Sequence, residues 1–279
     1  MKKVLVIYNP ISGAKARRDV EGILKDEIEK NGYSYTWFGT LPRPKQPLEK
    51  LFKESFHRII VVGGDGTVAE VADFLIQQKI KTPMVIVPRG TANLLAITLG
   101  ISLISVRRAV SMGLQQNGRP IDAMHVNKKH YALTAIGKGY DAFVMKNTTR
   151  AAKKRWGLLA YIYTFAKHYF FHRSHAYDLT IDGKKHHTIA KSIVVFNALP
   201  IPIVKIGGKV NPNDGLLNIA IFNPRLFRAT TLATFTGKNI TIHSDEDCEF
   251  DLDGELIHGH TVSIEVIKSA LNIVYTKKF

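Results

Sequence analysis

The sequence predicts an α/β N-terminal domain, a parallel sheet with helices on both faces, followed by a C-terminal antiparallel β-sandwich domain. Three observations carry this expectation. The first 100 residues repeat one pattern three times: a short aliphatic strand, a glycine-bearing loop, then a longer stretch of helical periodicity. Beyond about Gly113 the texture changes to short alternating strands separated by polar turns. A chain of 279 residues that is 45% hydrophobic also has material for about two cores, at a prior of roughly 100 to 200 residues per domain.

In chain order, Lys3 to Tyr8 is the first strand and leads through Asn9-Pro10-Ile11-Ser12-Gly13 into a helix ending near Asn31-Gly32. Tyr33 to Phe38 is a further strand, and Leu41 to Pro47, with three prolines, is a loop before a short helix. Arg58 to Val62 leads through Gly63-Gly64-Asp65-Gly66-Thr67 into a helix reaching about Gln78, and Met84 to Val87 leads through Pro88-Arg89-Gly90-Thr91 into one ending at Gly100. Strands that alternate with helices imply a parallel sheet whose strand C-terminal ends form a ligand crevice. After a helix at about Ser102 to Gly113, strands are expected at His125–Asn127, Tyr131–Leu133, Tyr177–Ile181, Ser192–Phe196, Leu216–Phe222, Glu249–Leu252 and Val262–Val266. One helix, from about Lys153 to His172, interrupts them. The expected domains are 1–123 and 124–269, with 270–279 either closing the second or returning to the first.

Charge narrows the partners. There are 39 Lys plus Arg against 23 Asp plus Glu, a formal net of +16, which favours an anionic partner such as nucleotide, nucleic acid or acidic membrane. Residues 1–124 carry a net of +7, 125–210 carry +12 and 211–279 carry −3. Within the middle segment Lys146, Arg150, Lys153, Lys154 and Arg155 precede the aromatic run from Trp156. That order suits an anionic bilayer surface, and equally a half-buried helix with a solvated basic end. Arg17-Arg18 and Arg107-Arg108 lack interleaved aromatics and read as solvated helix faces, so no nucleic acid is expected. The single cysteine, Cys248, excludes an intramolecular disulfide framework and fits a reducing compartment. No secretory signal is expected, because Asn9-Pro10 cuts short the apolar opening; Trp156–Phe171 is too short and too interrupted to span a bilayer.

The glycine loop is the main chemical signal. Gly63, Gly64 and Gly66 allow close backbone approach, so amides and a helix N-terminus can converge on phosphate, while Asp65 can hold Mg²⁺ or orient the phosphoryl group. A plain strand-to-helix turn capped by Asp65 is the bland alternative. Asn9-Pro10-Ile11-Ser12-Gly13 and Gly90-Thr91-Ala92-Asn93 are expected at the same sheet edge, and three such loops suit a polyphosphate cradle. Asp245–Glu255 holds seven acids in eleven residues; alternation makes them one strand face, a solvated one in preference to a magnesium cluster. His168, His172 and His175 are read as incidental to an amphipathic helix.

Together these motifs resemble the diacylglycerol kinase catalytic-domain family of lipid kinases, within an NAD kinase-like superfamily. Gly63 to Val71, Pro88 to Asn93 and Leu99-Gly100-Ile101 carry the likeness. It continues through Pro120-Ile121-Asp122, Gly137 to Ala142, Lys154 to Gly157, Asp214 to Leu217 and Asp253-Gly254-Glu255. The resemblance implies ATP-dependent transfer to a lipid hydroxyl, with Mg²⁺, at the inner face of a membrane by a cytoplasmic, peripherally bound enzyme. It implies that Asp65 and the glycine loop handle phosphates and that Asn9, Ser12, Thr67, Thr91 and Asn93 seat ATP. By the same analogy Asp122 assists at the metal or the domain junction, and Glu255 is the general base. The order Glu70-Val71-Ala72-Asp73-Phe74 departs from the family's Glu-Val-x-Asn-Gly. Alternatives are an NAD kinase-type enzyme, whose Asn-Asp motif would find its candidate only at Asn213-Asp214, and a catalytically weak nucleotide- or lipid-binding regulator. The acceptor lipid is unspecified by these motifs, and a homo-oligomer stays open.

Overall fold

The computed structural model describes residues 2–12, 17–40, 47–139, 174–198, 211–222, 232–252 and 255–279. The expected helix at 153–172, the basic cluster at 146–155, His168, His172, Gly13 and the 41–46 part of the proline loop lie outside them, as do the Glu255 side chain and Asp253-Gly254. Two compact units divide the chain: Met1–Ile121 with Ser269–Lys278, and Asp122–Lys268 with Phe279.

The first unit is a parallel α/β sheet. Its strands are β1 (Lys2–Tyr8), β2 (Tyr33–Gly39), β3 (Arg58–Gly63) and β4 (Met84–Pro88), joined by the C-terminal part of β14 (Glu255–Val274). The order is β14-β4-β3-β1-β2, and every neighbouring pair is parallel. The runs RIIVVG and MVIVP are buried at every position, as strands covered on both faces must be. Around the sheet lie α1 (Arg17–Lys30), α2 (Asp65–Gln77), α3 (Leu94–Thr98) and α4 (Val106–Gln115), with a 3₁₀ turn at Leu48–Lys53. α4 rests on β4 so closely that a side chain on Gly113 would run into Val85.

The second unit is antiparallel. β5 (Gly118–Val126) and β6 (His130–Ala132) form a hairpin. β7 (Ala135–Gly139), β10 (Ser192–Phe196), β11 (Leu217–Phe222) and β12 (Leu232–Gly237) continue in the order β12-β11-β10-β7-β13. β8 (His175–Ile181) and β9 (Lys184–Ala190) branch off β13 (Asn239–Leu252). β13 joins the two layers: Ile240–His243 pair with β8, Phe250–Leu252 pair with β7, and its register with β14 shifts between His243 and Cys248. Such an irregularity bends a strand from one layer into the other. Tyr177 and Leu179 of one layer and Val195, Ile219 and Phe250 of the other share one buried core, the interior of a sandwich.

Several elements differ from expectation. β7, β9 and β12 are strands that periodicity did not indicate. β5 begins seven residues before His125, at Gly118, and carries Pro120 within it. The short strands expected at 249–252 and 262–266 are pieces of β13 and β14, of 14 and 20 residues. α3 is only five residues, because Asn93 ahead of it takes the left-handed conformation (φ 49°, ψ 47°) and Gly100 just beyond it has φ 69°.

Candidate functional site

The glycine loop leaves the end of β3, and β3 is a central strand, so its direction fixes where the loop begins. Gly63 sits under Thr67: a Cβ there would lie 2.6 Å from the Thr67 Cβ. Gly64 is the extended N-cap of α2, and no side chain caps the helix. Asp65 is therefore the first residue inside α2, which removes the bland reading of it as the cap. The first helical bond donated is Val68 N to Gly64 O, at 3.1 Å. Amides earlier in a helix have no i−4 carbonyl to reach, and the macrodipole adds positive potential there, so an anion is favoured at this end.

The loop after β4 is pressed against it. Arg89 N donates to Gly63 O at 2.7 Å. A Cβ on Gly90 would stand 2.5 Å from the Gly64 Cα, and one on Gly64 would stand 2.9 Å from the Gly90 Cα. Both positions must be glycine for two backbones to approach this closely. Gly66 is different: its φ is ordinary and a Cβ there meets nothing within 4 Å. Packing and conformation leave the absent side chain at Gly66 unexplained.

Three of the polar residues expected to seat ATP, Asn9, Thr67 and Asn93, make hydrogen bonds within and between the loops. Asn93 Oδ1 accepts Gly90 N and Asn93 Nδ2 donates to Gly90 O, each at 2.8 Å, closing the loop on itself. Asn9 Nδ2 donates to Thr67 Oγ1 at 2.8 Å, and Asn9 Oδ1 accepts Ile11 N at 3.0 Å. This ties the loop after β1 to the first turn of α2. Asn9, Thr67 and Asn93 thus fix backbone that faces the open side, where Thr91 and Gly66 are exposed and Ser12 is half-buried. Asp73 lies along α2 and accepts Gln77 Nε2 at 2.7 Å.

Asp122 and Glu255 belong to the second unit. Asp122 is 1% exposed; one carboxylate oxygen accepts Gly215 N at 2.7 Å and its backbone oxygen accepts Asn197 Nδ2 at 2.7 Å. Asp122 N donates to Pro212 O at 2.7 Å, so this carboxylate organises the 211–215 turn. Asn197, fully buried, escaped the sequence reading; a lone amide ending the apolar run Val194-Val195-Phe196 was the available signal. Glu255 opens β14 opposite Leu252. Among the described residues no three His, Cys, Asp or Glu side chains gather as a metal cluster.

Residues 3–126 match the family model of the diacylglycerol kinase catalytic domain. A provisionally named lipid kinase of Staphylococcus haemolyticus is 27% identical over 239 residues, covering 77% of this chain and 75% of that protein. One from Staphylococcus aureus strain MSSA476 is 28% identical, covering 77% and 76%. A crystal structure of a provisionally named diacylglycerol kinase from Bacillus anthracis superposes with a TM-score of 0.83 at 23% identity, covering 99% of this chain and 97% of that one. A second from the same organism gives 0.77 at 21%. At these identities the structures speak for the fold, an α/β N-terminal domain with a C-terminal antiparallel sandwich. The loops that the sequence singled out fall inside the segment that matches the diacylglycerol kinase catalytic-domain model, residues 3–126.

Proposed function

We propose that this chain is an ATP-dependent lipid kinase that transfers the γ-phosphate to a hydroxyl of a lipid such as diacylglycerol. The observation that carries the reading is the pair of glycine loops in backbone contact, with Gly66 left open at the first turn of α2. A strand-to-helix turn needs neither feature. A phosphate chain lying on exposed amides needs both.

Magnesium fits the residues present. It commonly takes one or two carboxylates plus substrate phosphate oxygens, and Asp65 supplies a carboxylate at the helix end where phosphate would lie. Bound at Asp65, the ion would neutralise charge on the transferring phosphoryl group. Asp122, 1% exposed and accepting Gly215 N at 2.7 Å, keeps the 211–215 turn in place.

The chain's own residues supply position and a proton acceptor. The amides of the α2 first turn orient the phosphates; Asn9 ties the β1 loop to Thr67 in that turn, and Asn93 closes the adjoining Gly90 loop. The acceptor oxygen forms a bond to the γ-phosphorus as the bond from that phosphorus to the bridging oxygen breaks, releasing ADP. The hydroxyl proton passes to a carboxylate, the role assigned to Glu255. Among the described residues no helix is long and apolar enough to cross a membrane. The reading places the enzyme peripherally on the cytoplasmic face, where its lipid acceptor would be met.

The test is transfer of label from radioactive ATP to a panel of lipid alcohols in mixed micelles, with NAD as a parallel acceptor. Labelled phospholipid supports the proposal. Label in NADP alone, or in no acceptor while ATP still binds, replaces it with the NAD kinase or the regulatory reading.

A further inference from the structure

The segment between α3 and α4 carries two exposed aliphatic side chains in succession. Ile104 is 99% exposed and Leu103 is 46% exposed. Single exposed apolar residues are ordinary, but a fully exposed isoleucine beside an exposed leucine on a held turn is not. The turn is held at both ends. Leu99 and Ile101 before it are buried, as are Ala109 and Val110 after it. Ser105 N donates to Ser102 Oγ at 3.3 Å, and Ser105 Oγ caps α4 by accepting Arg108 N at 3.2 Å. Leu103 and Ile104 are the tip of this closed turn.

The groove that begins next to the tip in sequence is cationic. Ser105, directly after Ile104, lines an open groove of about 530 Å³ shared with Lys30, Arg107 and Arg108. Arg107 pairs with Glu27 at 2.8 Å. Lys30 and Arg108 are exposed, and neither side chain has an ion-pair or hydrogen-bond partner among the described residues. The first turn of α4 contains no acidic residue. Three cations face one carboxylate beside an apolar tip, a charge pattern that matches an anionic lipid surface. It does not match a second copy of the same cationic face, which would repel it.

We propose that this face of the first unit docks on an anionic bilayer: Leu103 and Ile104 enter the boundary between headgroups and acyl chains, and Lys30 and Arg108 meet lipid phosphates. Each cation near such a surface strengthens partitioning roughly fivefold, and two inserted aliphatic side chains add to that. The surface is separate from the glycine loops, and docking is measured without ATP or turnover, so its outcome is independent of the kinase reading.

The experiment uses the full chain with vesicles of phosphatidylglycerol and phosphatidylcholine, and phosphatidylcholine alone as control. In Ile104→Trp, the added fluorescence should shift to the blue and be quenched by brominated acyl chains in anionic vesicles, relative to wild type with its native tryptophans. Leu103→Ser with Ile104→Ser, and separately Lys30→Glu with Arg108→Glu, should weaken sedimentation with anionic vesicles by roughly tenfold or more while melting as wild type. An Ile104→Trp signal indifferent to brominated lipid overturns the proposal, whatever the rest of the chain contributes to vesicle binding. So does a wild-type dimer that the serine pair converts to monomer without loss of vesicle binding, which would make the tip a self-association contact.

Discussion

Gly66→Ala separates the structural from the functional use of the glycine loop, because it should move stability and activity in opposite directions. Gly66 is the second residue of α2, has an ordinary φ, and offers an added Cβ open space. Alanine therefore relieves glycine's entropic cost in a helix, worth about 0.5 kcal/mol this close to the terminus. For a protein of this size that is a rise in melting temperature of about 1–2 °C. The same methyl group projects where phosphate would approach the amides. Losing one hydrogen bond to a charged group costs about 1.5–3 kcal/mol, so the KM for ATP should rise roughly 10- to 100-fold. Gly90→Ala is the matched control: its Cβ would sit 2.5 Å from the Gly64 Cα, and backbone must move. That change should destabilise by about 1–3 kcal/mol and lower the melting temperature. Differential scanning fluorimetry and ATP saturation curves on the two variants decide the matter. A Gly66→Ala protein with unchanged KM for ATP would refute the claim that phosphate lies on the first turn of α2.

Other substitutions probe the remaining parts. Asp65→Asn should reduce transfer by about 10²-fold or more while leaving the melting curve intact, since the glycines set the backbone path; near-normal turnover removes Asp65 from the mechanism. Glu255→Gln should lower kcat by roughly 10² to 10⁴ with little change in the KM for ATP, and rescue by raised Mg²⁺ would make Glu255 a metal ligand and not a base. Asp182→Ala should destabilise the second unit, on the order of 0.5–1 kcal/mol at pH 7 after screening. Its carboxylate accepts Asn239 N at 2.8 Å and Lys238 N at 3.0 Å, and these amides hold its pKa below the ordinary aspartate value. A depressed folded pKa means the contribution is complete well above the unfolded pKa of about 3.9 and fades as pH falls through the folded value. Urea titrations should show the wild-type advantage shrinking below about pH 4, and a gap that persists at lower pH would show that charge is not involved.

Local chemistry explains which elements were legible. β3 and β4 announce themselves as unbroken aliphatic runs closed by glycine or proline, and Asp182-Gly183, both at positive φ, mark the β8–β9 turn as sequence rules expect. β9 hides because its Lys184-Lys185-His186-His187 opening belongs to a strand with one neighbour, where exposed polar side chains are favoured. β7 hides behind Gly137 and Gly139, and the start of β5 behind Pro120. In the site, the glycine loops were visible as composition. Their contact was not, since Gly64 and Gly90 meet only when β3 and β4 lie side by side. Nor could sequence reveal that Asn9 and Asn93 spend their amides on neighbouring backbone and hydroxyl groups, because hydrogen-bond partners are a property of the folded loops.

The sheet of the first unit takes its last strand from the far end of the chain: Ile273 pairs with Met84. During synthesis, residues through Ile121 emerge while β4 still lacks this neighbour, and the whole of Asp122–Lys268 must be made before it arrives. At about 5 to 20 residues per second that interval is on the order of 7 to 30 s. For its duration a wholly apolar strand presents a bare edge, the feature most prone to pair with another chain. The exposure is brief in space as well as in time, because β4 is only five residues long and ends in Pro88, which has no amide hydrogen to offer. The glycine loops are thus encoded early, but the sheet that aims them is finished only after all of Asp122–Lys268 has been made.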